Sequence, residues 1–119
     1  MAIRVIIADD EPATRKLTLY VLSRAHGIEV VGEAEDGATA LRLTRELRPD
    51  VLVLDNHMPG KSGLEIATIV AAELPKTRII LRSMDPQAVT RAAASGVHAT
   101  LPKDAPIEAL VNVVRDASS

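Results

Sequence analysis

Aromatic residues are almost absent from this chain of 119 residues, in which Tyr20 is the only one and neither Phe nor Trp occurs. The core must therefore be built from Val, Ile, Leu and Ala, and apolar residues make up 47% of the sequence. Stacking of nucleic-acid bases on aromatic rings is excluded as a binding mode. We expect one globular domain with an aliphatic core.

Cysteine is also absent, which excludes a disulfide framework and any metal site built on thiolates. The 14 basic and 16 acidic residues give a net charge of -2, and no basic block marks a binder of phosphate backbones. The start "MAIRVIIADD" meets acids too soon for a signal peptide, and no apolar run approaches membrane-spanning length. We predict a single cytoplasmic domain over residues 1–119 that binds neither nucleic acid nor membrane by itself.

Strand-like and helix-like segments alternate along the whole chain, a pattern typical of a parallel sheet covered by helices on both faces. The predicted strands are Ile3–Ala8, Glu29–Glu33, Val51–Leu54, Arg78–Leu81 and Ala99–Leu101. The predicted helices are Pro12–Arg24, Ala38–Leu47, Leu64–Leu74, Pro86–Ser95 and Pro106–Asp116. The sequence thus predicts an α/β fold with a doubly wound, five-stranded parallel sheet.

Apolar stripes at helical spacing predict which faces of two helices are buried. The stripe of the last helix consists of Ile107, Leu110, Val111 and Val114. A weaker stripe in the first helix consists of Leu17, Tyr20 and Val21.

Charged and polar residues stand where the predicted strands end. They are Asp9 and Asp10 after the first strand, Asp55 after the third, Ser83 after the fourth and Lys103 after the fifth. Because ligands of open α/β sheets bind outside the carboxyl ends of the strands, we expect these side chains to meet at one edge.

Three neighbouring carboxylates repel one another and raise one another's pKa values unless a cation offsets them. An all-oxygen ligand set without cysteine favours Mg²⁺, which readily accepts a phosphate oxygen as a further ligand. Lys103 would then pair with carboxylate or phosphoryl charge, and the Ser83 hydroxyl could bond a phosphoryl oxygen. Asp55, on the middle strand, is the predicted nucleophile of an aspartyl phosphate.

Four segments carry a family resemblance: "VIIADDEP", "VLVLDNHMPGKSG", "IILRSM" and "LPKD". In this order, and each at a strand end, they resemble the receiver domain of bacterial two-component response regulators over essentially the whole chain. The resemblance implies the flavodoxin-like (βα)5 fold. It also implies a signalling switch whose only reactions are its own phosphorylation and dephosphorylation.

The resemblance further implies that a sensor histidine kinase phosphorylates Asp55, and that Ser83 and Lys103 hold the phosphoryl oxygens. It implies Mg²⁺ as the cofactor, with direct ligation by Asp10 and water-mediated ligation by Asp9. Asp55 and the main-chain carbonyl of His57 complete the protein ligands.

The segment "GVHATLPKDA" resembles most the receivers that carry a helix-turn-helix output domain, because Asp and not proline follows the lysine. This implies transcription regulation, a C-terminal DNA-binding domain outside this chain and homodimerisation on phosphorylation. The sequence departs from the family at Thr100, usually aromatic, at Pro102, at His57, and at Arg82, which closes a strand that is ordinarily apolar.

Two other functions stay open from the residues. One is a pseudo-receiver, an interaction module that works without phosphorylation. The other is a phosphatase of the haloacid dehalogenase type, although its second Asp would stand at His57. Taken singly, each polar residue has a plainer interpretation: Asp85 caps a helix, Ser83 belongs to a turn, and Lys103 is solvated.

Overall fold

Five strands and five helices alternate in the computed structural model, which describes residues 1–119. The strands are β1 (Ile3–Ala8), β2 (Ile28–Ala34), β3 (Val51–Asp55), β4 (Arg78–Arg82) and β5 (Ala99–Leu101). The helices are α1 (Pro12–Arg24), α2 (Gly37–Leu47), α3 (Gly63–Glu73), α4 (Pro86–Ala92) and α5 (Ala109–Ser118). All neighbouring strands pair in parallel, in the order β2-β1-β3-β4-β5. The predicted doubly wound parallel sheet is therefore confirmed.

The core has two layers, one on each face of the sheet, because successive side chains of a strand point to opposite faces. One layer packs β-strand residues such as Ile6, Leu52 and Leu81 against α2, α3 and α4. The other packs residues such as Val53 and Ile80 against α1 and α5. Every residue of β3 is buried, so the strand that ends at the predicted nucleophile is held on both faces.

The last helix begins later than predicted, at Ala109 and not at Pro106. The N–H groups of Ala109 and Leu110 donate to carbonyls only three residues back, at 2.9 and 3.0 Å, so the chain enters α5 through tighter turns. The predicted stripe still faces the core: Leu110 and Val114 are fully buried, and Ile107 and Val111 are partly buried. Apolar periodicity is similar in both conformations, which is why the pattern misplaced the start.

The stripe predicted for α1 is wrong. Leu17 and Tyr20 are 51% and 59% exposed and Val21 is half-buried, whereas Thr18 and Leu22 are the buried residues of this helix. The Thr18 hydroxyl donates to the carbonyl of Thr14 at 2.9 Å, which satisfies it inside the fold. The face of α1 that packs on the sheet therefore differs from the predicted stripe and includes a buried threonine.

The remaining boundaries lie within a residue or two of the prediction, except that regular α4 ends at Ala92 and continues as a 3₁₀ turn over Ala93–Ser95. Gly96 ends this turn in the left-handed conformation, with φ of 86°. None of the helices combines the length and the apolar character needed to cross a bilayer.

Candidate functional site

The predicted carboxylates meet at the carboxyl edge of the sheet. Asp9 and Asp10 directly follow β1, and Asp55 is the last residue of β3. One carboxylate oxygen of each lies within 4.8 Å of the others. The Lys103 ammonium lies 2.8 Å from Asp55 Oδ2 and 3.9 Å from Asp9 Oδ1. We call Asp9, Asp10 and Asp55 the acidic cluster, and Lys103 is its neighbouring cation.

Asp55 is held in one orientation. Its side chain is 3% exposed, and Oδ1 accepts a hydrogen bond from the His57 backbone N–H at 3.1 Å while Oδ2 accepts from Lys103. The loop that follows is fixed by Gly63, whose N–H donates to the Asn56 carbonyl at 3.1 Å. A Cβ at Gly63 would come within 2.7 Å of the Asp55 carbonyl oxygen, so only glycine permits this approach of α3.

Asp9 is the electrostatically unfavourable member of the cluster. It is 3% exposed, and burial raises the pKa of its carboxyl above 3.8. The Glu11 backbone N–H and Lys103 lower this pKa, and neighbouring Asp55 raises it again. Asp10, in contrast, is exposed. Three oxygen donors of this kind fit Mg²⁺, since a divalent cation would offset their repulsion.

Ser83 and His57 stand at the margin of the cluster. Ser83 is 3% exposed, and its Oγ accepts a hydrogen bond from the Asp85 backbone N–H at 2.9 Å. Its hydroxyl proton stays available to another acceptor, because a hydroxyl both donates and accepts. The His57 side chain is exposed, and this residue meets the cluster through its backbone. Asp85 caps α4 as predicted, accepting from the Gln87 N–H at 2.9 Å.

The comparisons with known proteins identify the family. The family model of the response regulator receiver domain matches residues 5–115. The chain belongs to this receiver family. A similar protein is the probable transcriptional regulatory protein NarL of Mycobacterium tuberculosis, 40% identical over 119 residues. The match covers 98% of this chain and 55% of that protein.

Further similarities extend the comparison in sequence and in structure. A protein-glutamate methylesterase/protein-glutamine glutaminase of Anaeromyxobacter dehalogenans is 41% identical over 85% of this chain and 30% of its own length. The solved signal receiver domain of M. tuberculosis NarL superposes with a TM-score of 0.92 at 38% identity, covering 98% of this chain and 96% of that one. A LuxR-family DNA-binding response regulator from Staphylococcus aureus gives 0.92 at 25% identity, covering 98% of each chain. The flavodoxin-like receiver fold is thus confirmed. The chain spans about half the length of the full NarL protein and less than a third of the methylesterase.

Arg82, which departs from the family pattern in the sequence, is buried in the structure, and its burial was not predicted. Arg82 is 4% exposed, and its side chain lies on the sheet face that packs against α1 and α5. Its Nη1 donates to Thr18 Oγ1 at 3.4 Å and its Nη2 to the Lys103 carbonyl at 3.5 Å, while Nε has no partner. Burial lowers the pKa of Arg82, against the opposing effect of Asp9 and Asp55. An arginine that closes an otherwise apolar strand was the available signal.

Proposed function

We propose that this receiver domain, over residues 1–119, is a phosphorylation-dependent switch that accepts a phosphoryl group from a sensor histidine kinase on Asp55. The observation that carries the proposal is the setting of the Asp55 carboxylate. It ends a fully buried central strand, has the Lys103 ammonium at 2.8 Å, and lies in a group of three carboxylates. An acceptor of a transferred phosphoryl group needs an oriented nucleophile next to a positive charge, and Asp55 has both.

In the transfer, one carboxylate oxygen of Asp55 forms the bond to phosphorus while the bond between phosphorus and the donor's imidazole nitrogen breaks. The imidazole leaves with the electron pair of that bond. The His57 N–H and the Lys103 ammonium orient the carboxylate before transfer. Afterwards Lys103 and the Ser83 hydroxyl bind phosphoryl oxygens, and Ser83 donates its free hydroxyl proton while its Oγ can still accept from the Asp85 N–H.

Mg²⁺ is part of this proposal. The carboxylates of Asp10 and Asp55 and the His57 main-chain carbonyl would hold the ion directly, with Asp9 acting through a water molecule. When bound, the ion supplies positive charge that offsets the repulsion among the carboxylates and the incoming phosphoryl oxygens. The all-oxygen donor set and the raised pKa of Asp9 support this assignment.

The output of the switch is proposed from the relatives. Transcriptional regulators such as NarL are about twice the length of this receiver domain, which leaves room in them for an output domain. We therefore propose that phosphorylation of Asp55 controls a C-terminal DNA-binding domain and transcription, in the cytoplasm, by promoting a homodimer. Light scattering of the phosphorylated and unphosphorylated protein tests the dimer.

The test of phosphoryl acceptance is intact-mass spectrometry after incubation with Mg²⁺ and acetyl phosphate. We expect the wild type to gain the mass of one phosphoryl group, and hydroxylamine to remove it, because acyl phosphates react with this nucleophile. Asp55→Asn should show no gain. Asp104→Asn is the matched control, since Asp104 is an exposed carboxylate beside Lys103 but outside the cluster.

Two results would contradict the proposal. A phosphoryl group that persists in Asp55→Asn would place the acceptor elsewhere. No gain in the wild type would favour the pseudo-receiver function instead.

A further inference from the structure

Arg82 lies beside the phosphoacceptor, because β3 and β4 pair in register at Asp55 and Arg82. The backbone also connects the two residues: the Asn56 N–H donates to the Arg82 carbonyl at 3.2 Å. The side chain of Arg82 extends towards α1 and the loop that carries Lys103. A buried positive charge therefore lies on the strand next to Asp55.

This charge is poorly satisfied by its direct neighbours. A guanidinium has five N–H donors, whereas Arg82 makes two hydrogen bonds, both near the upper limit of length at 3.4 and 3.5 Å. Both acceptors are neutral oxygens, and no carboxylate oxygen lies within 4.0 Å of the guanidinium. Arg45, on the surface, instead makes a bidentate ion pair with Glu73 at 3.0 and 2.6 Å.

A buried, permanently charged arginine without an ion-pair partner is costly unless other charges stabilise it. The opposing charges present here are the carboxylates of Asp9 and Asp55, which act on Arg82 across a distance. Charge–charge interactions of this kind are effective because burial removes the screening of water. Arg82 and the acidic cluster therefore stabilise each other.

We propose that Arg82 is an internal counter-cation of the acidic cluster and that it weakens the binding of Mg²⁺ to the unphosphorylated receiver domain. This inference rests on the proposed Mg²⁺ site. The three carboxylates carry three negative charges, and Lys103 and Arg82 together offset two of them. Without Arg82 the cluster would be one charge more negative, and a divalent cation would gain more on binding.

The experiment is a titration of the unphosphorylated protein with Mg²⁺, in which binding is measured by calorimetry and by the amide NMR shifts of Asp10 and His57. Arg82→Met removes the charge and keeps an unbranched side chain. We expect the Kd for Mg²⁺ to fall about tenfold, because a repelling charge is removed from a poorly screened site. If Arg82→Met does not fold, Arg82→Gln takes its place with the same expected direction.

Two variants separate the charge from its surroundings. Arg82→Lys keeps a positive charge there and should bind Mg²⁺ with a Kd within about twofold of the wild type. Arg15→Met is the matched control, since the Arg15 guanidinium also lies near the cluster but donates to the Asp9 carbonyl at 2.8 Å and lies 3.4 Å from Glu33. This control should leave the Kd within about twofold, because the Arg15 and Glu33 side chains are 15% and 38% exposed and water screens the change in charge.

The outcomes distinguish this inference from the proposed function. Equal Mg²⁺ affinity in wild type and the neutral Arg82 variant, with clear binding by both, overturns the counter-cation and leaves the Mg²⁺ site. An equal tightening in Arg15→Met also overturns it, because any lost positive charge would then suffice. Absence of Mg²⁺ binding in both wild type and the neutral variant overturns the Mg²⁺ site and this inference together.

Discussion

The two ends of the sheet use similar polar residues in opposite ways. At the amino end, Arg4 Nη1 donates to the carbonyls of Leu47 and Arg48 at 2.8 and 3.1 Å, and the buried Thr77 hydroxyl donates to the Pro49 carbonyl at 2.9 Å. At the carboxyl end, the corresponding bonds of buried Arg82 are 3.4 and 3.5 Å long and its Nε has no partner.

The two ends differ in whether their polar groups find hydrogen-bond and charge partners within the chain. Polar groups at the amino end are satisfied by the chain itself, and they fasten the C-terminus of α2 and the start of β3. The carboxyl end contains three carboxylates that repel one another and a guanidinium with two long hydrogen bonds. We expect a bound cation and a phosphoryl group to supply the partners that these groups lack. Substitutions at the amino end should therefore change stability by the same amount with and without Mg²⁺, whereas those at the carboxyl end should change it in a way that depends on Mg²⁺.

The largest effect is expected from Lys103→Met, which removes the positive partner of buried Asp55. We expect the free energy of unfolding to fall by about 2 kcal/mol without Mg²⁺, below the usual cost of breaking a buried pair because Lys103 is partly exposed. Urea unfolding measures the loss. Added Mg²⁺ should recover part of it, since the ion would supply the missing charge.

The control for this variant is the double mutant Lys103→Met/Asp55→Asn. With both members of the pair gone, the loss should be smaller than in Lys103→Met alone. An equal loss in the two proteins would mean that Lys103 stabilises the fold by packing and not by its charge.

Arg4→Met tests the amino end and should have the next largest effect. Two carbonyl acceptors lose a charged donor, which we expect to lower the free energy of unfolding by about 1–2 kcal/mol. The same urea experiment, with and without Mg²⁺, should give the same loss in both. A loss that Mg²⁺ reverses would contradict the separation of the two ends.

Asp9→Asn should have the smallest effect and the opposite sign. Since the pKa of Asp9 is raised above 3.8 in the folded state, the folded protein binds more protons than the unfolded chain. Ionisation of Asp9 therefore lowers the free energy of unfolding as the pH rises from the unfolded-state pKa through the folded-state pKa. The asparagine oxygen can still accept from the Glu11 N–H. In EDTA we expect Asp9→Asn to be more stable than wild type at neutral pH, with the difference vanishing below the ordinary pKa of aspartate. A less stable variant at neutral pH would contradict the raised pKa.

Much of the fold was predictable because the strands are buried runs of aliphatic residues. β1 and β5 were placed as the structure has them, and the carboxyl ends brought Asp9, Asp10, Asp55 and Lys103 together as expected. Parallel topology alone achieves this, since every strand ends at the same edge. Their roles in phosphoryl transfer and Mg²⁺ binding stay predictions.

The wrong inner face of α1 and the unforeseen burial of Arg82 have a common cause in buried polar groups. Periodicity assigned the inner face of α1 to Leu17 and Tyr20, because it treats a threonine such as Thr18 as a surface residue. Thr18 is buried where it accepts from Arg82, and neither residue reveals the other in the sequence. Burial that depends on a partner 64 positions away cannot be derived from a local pattern.

Two glycines contact the loop between Asp55 and α3, and they restrict how this protein can be engineered. A methyl group at Gly37 would come within 2.8 Å of the Lys61 carbonyl oxygen, and one at Gly63 within 2.7 Å of the Asp55 carbonyl oxygen. Either methyl group would displace the loop without contacting a carboxylate. A spectroscopic label that reports on this loop is best attached to the side chain of Lys61, which is exposed, because the backbone contacts with α2 and α3 are then unchanged.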